Sequence, residues 1–251
     1  MKQYKRLAQY CEQNGIIYNE ETDQKFRSFY DLLIEKNKVM NLTTITEPEE
    51  VELKHFIDSL AAAPYINECF DEIRKKEQDI PEKFRIVDVG TGAGFPGLPL
   101  SFVLPDMEFL LADSLNKRIA FLKDVISGLQ LPNVSAVQTR AEELGQGKYR
   151  QAFDFCVSRA VADMPILLEY CLPLVRIGGK VILYKSGEIQ KELERAQFAI
   201  SELGGVVEEV RSFELPDTDI SRTLIIIKKI KTTPAKYPRK AGKPAKQPLI
   251  V

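Results

Sequence analysis

Hydrophobic positions in the first 80 residues return at three- and four-residue intervals, the period of helices that each bury one face. Leu7, Tyr10 and Cys11 mark one such face, and Phe26, Phe29, Tyr30, Leu33 and Ile34 a longer one. Asn14-Gly15 separates the two. Pro48 and the acids behind it suit the first turn of another helix, running on through His55 and Leu60. The charged run from Asp71 to Glu82 reads as a connector. From Phe84 the rhythm changes. Short β-branched runs at 84–89, 107–112, 133–138, 153–158 and 180–184 alternate with helix-like stretches near 115–129, 163–174 and 188–203. Runs at 206–213 and 223–229 close the series as a hairpin-like pair with an antiparallel last strand. The alternation predicts an α/β fold, a Rossmann-like, mostly parallel, doubly wound sheet. The expected organisation is an N-terminal helical extension over residues 1–83, a sheet domain over 84–230 and a tail over 231–251. Pro234, Pro238, Pro244 and Pro248 predict that the tail is extended.

At 251 residues and 44% hydrophobic, the chain is long enough to bury a sizeable core. No apolar run approaches the roughly 18 residues of a membrane span, and the first fifteen residues hold no apolar signal core, so the expected location is cytoplasmic. Cys11, Cys69, Cys156 and Cys171 form no C-x-x-C pair, and His55 is the single histidine, which argues against a zinc site or a histidine-based triad. The formal charge of −1 conceals an asymmetry. Residues 228–251 hold eight basic residues and no acid, which leaves 27 basic against 36 acidic residues in the rest. An acidic body with a basic tail fits a polyanionic partner held locally; a merely solvated tail is the other reading.

Candidate chemistry concentrates in Asp88-Val-Gly-Thr-Gly-Ala-Gly-Phe-Pro-Gly97, where a strand ends on alternating glycines and a helix follows. Such a loop at the carboxyl end of the first strand is where open α/β sheets bind nucleotides. Gly92, Gly94 and Gly97 also satisfy G-x-G-x-x-G, but that register leaves Asp88 and Gly90 idle. It also puts Asp113 nearer than the usual roughly 20 residues. Reading Asp88, Gly90, Gly92 and Gly94 together accounts for all four. An acid before the loop suits a ligand with an ammonium group, such as the methionine end of S-adenosylmethionine. Asp113 then faces ribose hydroxyls, or caps the helix ahead of Leu115. His55 and Asp58, three apart on one helical face, could meet each other or a neighbour; they read as a hydrogen-bonded helix-packing pair first and as direct substrate contacts second. Asn37 and Asn41 either reach RNA or cap a helix end. Lys117 and Arg118 are either a solvated helix turn or part of a basic rim with Arg222 and the tail.

The loop, with Leu98-Pro-Leu100 and Asp113-Ser-Leu-Asn-Lys-Arg118, is similar to that of the bacterial ribosomal RNA small-subunit methyltransferase G family, also called glucose-inhibited division protein B. The similarity continues in Asn37-Lys-Val-Met-Asn-Leu-Thr43, His55-Phe-Ile-Asp-Ser-Leu60, Arg140-Ala-Glu142, Ser158-Arg-Ala-Val-Ala162 and Thr233-Pro-Ala-Lys-Tyr-Pro-Arg-Lys240. It implies methyl transfer from S-adenosylmethionine to N7 of one guanine in 16S ribosomal RNA. The substrate would be the small subunit or an assembly intermediate, and the expected enzyme is a monomer with no metal or membrane partner. Gly90 and Phe95 then belong under the cofactor, Asp113 and Ser114 at its ribose, Ala141 and Glu142 beside its adenine, and Arg159 facing the pocket. Arg118, Lys185, Arg222, Arg239 and Lys240 are the expected RNA contacts. Two departures stand out: Thr91 replaces the common serine or alanine, and Ser186 separates a Lys and Gly that the family often keeps adjacent. Deleting the residues after Ile230 is expected to lower RNA affinity and spare cofactor affinity. The rival readings are a nicotinamide-dependent oxidoreductase and a non-catalytic small-subunit assembly factor.

Overall fold

A computed structural model of the chain describes residues 4–76, 83–159, 161–187 and 189–250. Helix α1 (Lys5–Gln13) ends at Asn14-Gly15, and α2 (Glu20–Met40) starts on Asn19, whose side chain accepts from Thr22 N–H at 2.9 Å. Acids at Glu20, Glu21 and Asp23 suit the positive end of its dipole, and Asn41, at φ +50°, terminates it. Next come α3 (Pro48–Val51), a π-helical turn (Glu52–Ile57) and α4 (Asp58–Leu60), which run on as one helix. Helix α5 (Ala63–Lys76) follows. It takes up the first part of the expected charged connector; the remainder, 77–82, lies outside the described residues.

The sheet has seven strands in the order β3-β2-β1-β4-β5-β7-β6. They are β1 (Arg85–Val89), β2 (Glu108–Asp113), β3 (Val134–Gln138), β4 (Phe153–Arg159), β5 (Val175–Lys185), β6 (Gly205–Glu214) and β7 (Ser221–Lys229). Strands β1 to β5 pair in parallel, and β7 is antiparallel to both β5 and β6. The starting end of β7 therefore sits beside the carboxyl ends of β4 and β5.

Helices α6 (Gly97–Val103) and α7 (Asn116–Gly128) pack on one face of the sheet, in the same core as the N-terminal helices. Phe26, Phe29, Phe56, Phe95 and Phe102 meet there with ring centroids 4.9 to 6.3 Å apart, which ties α2 to the glycine loop. The other face is covered by α8 (Ala141–Leu144), α9 (Met164–Cys171) and α10 (Gln190–Glu202).

The tail departs from the extended arm that its prolines predict. It straps across α8 and α9, includes a one-turn helix α11 (Lys243–Lys246), and buries Tyr237 and Leu249 in the second core. Arg150 donates to the carbonyls of Thr233 and Tyr237 at 2.7 and 2.6 Å, which satisfies backbone that would otherwise stay solvated. Arg239 meets the fully buried Glu169 of α9 through Nε and Nη2 and donates its backbone N–H as well. Among the described residues no helix is long and apolar enough to cross a membrane.

Candidate active site

Strand β1 delivers the glycine loop to the middle of the sheet, where the strand order reverses direction. Gly90 and Thr91 N–H bond to Ala112 O at 2.8 and 3.1 Å, so the loop stays joined to the end of β2. Gly90 has φ +71°, and a Cβ there would fall 2.4 Å from Val161 Cγ2. At Gly97 the backbone is ordinary but space is missing: a Cβ would lie 2.3 Å from Leu111 Cδ2 and 2.8 Å from Asp88 Oδ2.

A cavity of about 320 Å³ opens above this loop, lined by Gly90, Asp113, Ser114, Ala141, Glu142 and Val161, among others. Asp113 is the hub of its floor. Its Oδ1 accepts from Leu115 N–H at 2.9 Å and its Oδ2 from Gly92 N–H at 3.0 Å. One carboxylate thus steadies the chain ahead of the next helix and also borders the cavity. A cradle that only glycine fits, with an acid at the end of β2, is the shape and polarity that the adenosine and ribose of S-adenosylmethionine require.

A second cavity, of about 460 Å³, lies over β4, β5 and the start of β7 and includes His55, Asp58, Arg159, Lys185 and Arg222 in its walls. Asp58 Oδ2 accepts from Arg159 at 3.1 Å and from Arg222 at 3.3 Å. Lys185 donates to Glu192 at 2.6 Å and to Ala162 O at 3.1 Å. Val161 in the first cavity and Arg159 in the second stand two residues apart at the end of β4.

A family model described as rRNA small subunit methyltransferase G matches residues 22–223. The chain belongs to this family.

A relative named "Ribosomal RNA small subunit methyltransferase G" from Lachnoclostridium phytofermentans is 51% identical over 237 residues, covering 94% of this chain and 93% of its own. One of the same name from Acetivibrio thermocellus is 44% identical, covering 99% and 98%. Among solved structures, a SAM dependent methyltransferase from Aquifex aeolicus superimposes with a TM-score of 0.50 at 16% identity, over 76% of this chain and 97% of that one. That likeness supports the Rossmann-like methyltransferase fold.

Membership of the family makes the placement of each expected residue informative. Gly90, Asp113, Ser114, Ala141 and Glu142 meet around the first cavity. Gly92 flanks it through its bond to Asp113, whereas Gly94 packs against Leu98 and Leu122. Asp88 corrects the expectation of a carboxylate offered to an ammonium group. It is fully buried, and its Oδ2 accepts from Gly97 N–H at 2.8 Å, so it braces the loop from beneath. Burial pushes its pKa up to about 6. Phe95 also points inward, stacked on His55 at 4.5 Å. Arg118 is turned from the expected RNA rim into the first cavity, where it pairs with Asp113 at 3.1 Å. Arg159, Lys185 and Arg222 share the second cavity. Arg239 is drawn under the tail by Glu169, and Lys240 is exposed. Asn37 pins the loop after α2, donating to Thr43 O and accepting from Leu42 and Thr43 N–H, and Asn41 is the helix end.

His55 and Asp58 do not pair with each other. The π-helical turn separates their roles, giving His55 Nε2 to Thr43 Oγ1 at 2.9 Å and Asp58 to the two arginines. Burial, with Arg159 adding to it, lowers the His55 pKa to about 4. The folded protein therefore leaves His55 neutral between about pH 4 and 6.5 while the unfolded chain takes up the proton. This contribution raises stability with rising pH through that window, by at most about 1.4 kcal/mol per pH unit. Buried Asp88 has the opposite sign, because its proton is held in the folded state up to about pH 6. Urea unfolding of His55→Gln at pH 4.5 and 6.5 is expected to show a smaller gain with pH than the parent; an equal gain removes His55 as the cause.

Proposed function

We propose that the protein transfers a methyl group from S-adenosylmethionine to N7 of one guanine in 16S ribosomal RNA. The single observation that carries this is the family match, which reaches 51% identity across 94% of the chain. The paired cavities support a location for it. Gly90, Gly92, Asp113, Ser114, Ala141 and Glu142 would hold the cofactor, and Arg159, Lys185 and Arg222 would face the RNA. The organisation proposed with it is a methyltransferase sheet over 84–230, flanked by the helical extension 1–83 and the tail 231–251. The site is read as metal-free and the enzyme as a cytoplasmic monomer.

S-adenosylmethionine supplies, when bound, a sulfonium methyl open to attack. Guanine N7 carries a lone pair and no proton at neutral pH, so this chain needs no general base. What its residues must do is hold N7 about 3 Å from that methyl and in line with it, where orientation supplies most of the rate. Positive charge passes to the guanine ring during transfer, and the cations around the second cavity oppose it less because Asp58 pairs with Arg159 and Arg222 and Glu192 with Lys185. His55, kept neutral by its burial, adds no opposing charge. Exposed Lys240, Lys243 and Lys246 on the strap remain for RNA phosphates, which predicts binding that weakens as salt rises.

Small subunits lacking the modification, incubated with labelled S-adenosylmethionine and then digested, are expected to yield 7-methylguanine at one 16S site. Cofactor binding without transfer to any small-subunit RNA would favour the assembly-factor reading instead.

A further inference from the structure

Asp58 is 3% exposed, and its Oδ1 is buried without a hydrogen-bond partner among the described residues, although Oδ2 accepts from two guanidinium groups. An unpaired buried carboxylate oxygen is costly, and each such atom calls for an explanation, a role toward a ligand among them. Around it the fold assembles a site from separate elements. The helix that contains the π-helical turn supplies Asp58, β4 supplies Arg159, and β5 supplies Lys185. Antiparallel β7 brings Arg222 to the same edge. At about 460 Å³ the cavity falls within the range of roughly 300–1,000 Å³ typical of small-ligand sites.

We propose that this cavity receives the target guanine and that Asp58 reads it. Asp58 accepts from the N1–H and N2 amino edge once its carboxylate turns the free Oδ1 from its buried position toward the cavity, while a guanidinium of Arg159 or Arg222 donates to O6. The inference rests on the methyl-transfer reading above and deepens it. A guanine whose N7 faces the first cavity carries O6, then N1–H, then the N2 amino group progressively away from it. A donor set beside a buried acceptor is the complement of that order, and enzymes that act on an extruded base read the same edge. Adenine reverses the order, turning its N1 lone pair to the carboxylate and its amino group to the arginines. Pyrimidines have no N7. Lys54, Arg159, Lys185 and Arg222 together would suit a phosphate, but each is already held by an acid, Lys54 by Glu50, Lys185 by Glu192 and both arginines by Asp58, so the base is the favoured occupant.

The test uses 16S ribosomal RNA with a single guanosine, inosine or 2-aminopurine riboside at the methylated position, reconstituted into small subunits. Inosine keeps O6 and N1–H; 2-aminopurine lacks both and keeps N7. The wild type is expected to accept inosine within about tenfold of guanosine in kcat/KM and to reject 2-aminopurine by about a thousandfold. Asp58→Asn can donate to the N1 lone pair of 2-aminopurine. It should lose about a hundredfold on guanosine and narrow the guanosine-to-2-aminopurine ratio to under about tenfold, with S-adenosylmethionine affinity unchanged. Comparing ratios between the two proteins cancels the intrinsic reactivity of each N7.

A variant that lowers all three substrates in proportion overturns the inference and assigns Asp58 to scaffolding or phosphate binding. A wild type that takes 2-aminopurine as readily as guanosine overturns it without any variant, so a misfolded Asp58→Asn leaves the question decidable. A wild type inactive on guanosine itself overturns the methyl-transfer reading, and this inference with it.

Discussion

Gly90→Asp is expected to lower S-adenosylmethionine affinity at least about a hundredfold while the protein still melts in one cooperative transition. The φ of +71° is a conformation that L side chains adopt at a cost of about 1–2 kcal/mol, and aspartate is among those that tolerate it best. A new Cβ lies 2.4 Å from Val161 Cγ2, but Val161 is partly exposed and has solvent to move into. The carboxylate itself enters the cavity between Asp113 and Val161 and would press on the cofactor both sterically and by charge. Titration calorimetry with S-adenosylmethionine and a thermal melt of the same preparation separate the two effects. Normal affinity would remove the first cavity as the cofactor site.

Arg239→Ala is expected to be the most destabilising single change in the tail, costing about 3–5 kcal/mol and lowering Tm by about 10 °C or more. The truncation strands the Glu169 carboxylate, fully buried in α9, without its cation. Arg239→Ala combined with Glu169→Leu should recover most of the loss, since the pair is then replaced by apolar volume. If the single variant melts like the parent, the strap is not anchored here. The same geometry revises what deletion after Ile230 would do. Gly242 N–H donates to Glu142 Oε1 at 3.0 Å, and Glu142 lines the first cavity, proposed to hold the cofactor. Removing the tail should thus weaken cofactor and RNA binding together.

The glycine loop was legible because positive φ at close quarters leaves a direct trace in residue type. The strands were legible from their β-branched runs, and their order was not, since it is set by pairing between distant segments. Strand β5 extends back to Val175 across Gly178-Gly179, which reads locally as a break; a shifted register against β4 accommodates it. Helix α8 spans four residues, too few to display a period. Asp88 misled because composition alone does not say which way a strand residue points. The alternation of β1 did hold that information: Val87 and Val89 enter one core and Ile86 the other, so Asp88 turns down with Ile86, under α6. Arg239 looked like one of many solvated tail cations. The usable signal was its partner, a lone acid in the apolar stretch Ile166-Leu-Leu-Glu-Tyr-Cys171, which calls for a buried cation. His55 and Asp58 escaped because a π-helical turn breaks the α-helical spacing on which their pairing was inferred.

That wide turn at Glu52–Ile57 lets the segment hold one residue more than its two ends require. Dropping one residue from within it would return the stretch to a regular helix and leave Asp58 near its present azimuth, because a wide turn is how a helix takes up one extra residue while its two ends stay in phase. Glu52, which receives Leu7 N–H at 2.8 Å, would keep its hold on α1 at the other end of the turn. In descendants of this gene the turn is therefore a place where one codon can be lost while Glu52 and Asp58 at its two ends keep their partners.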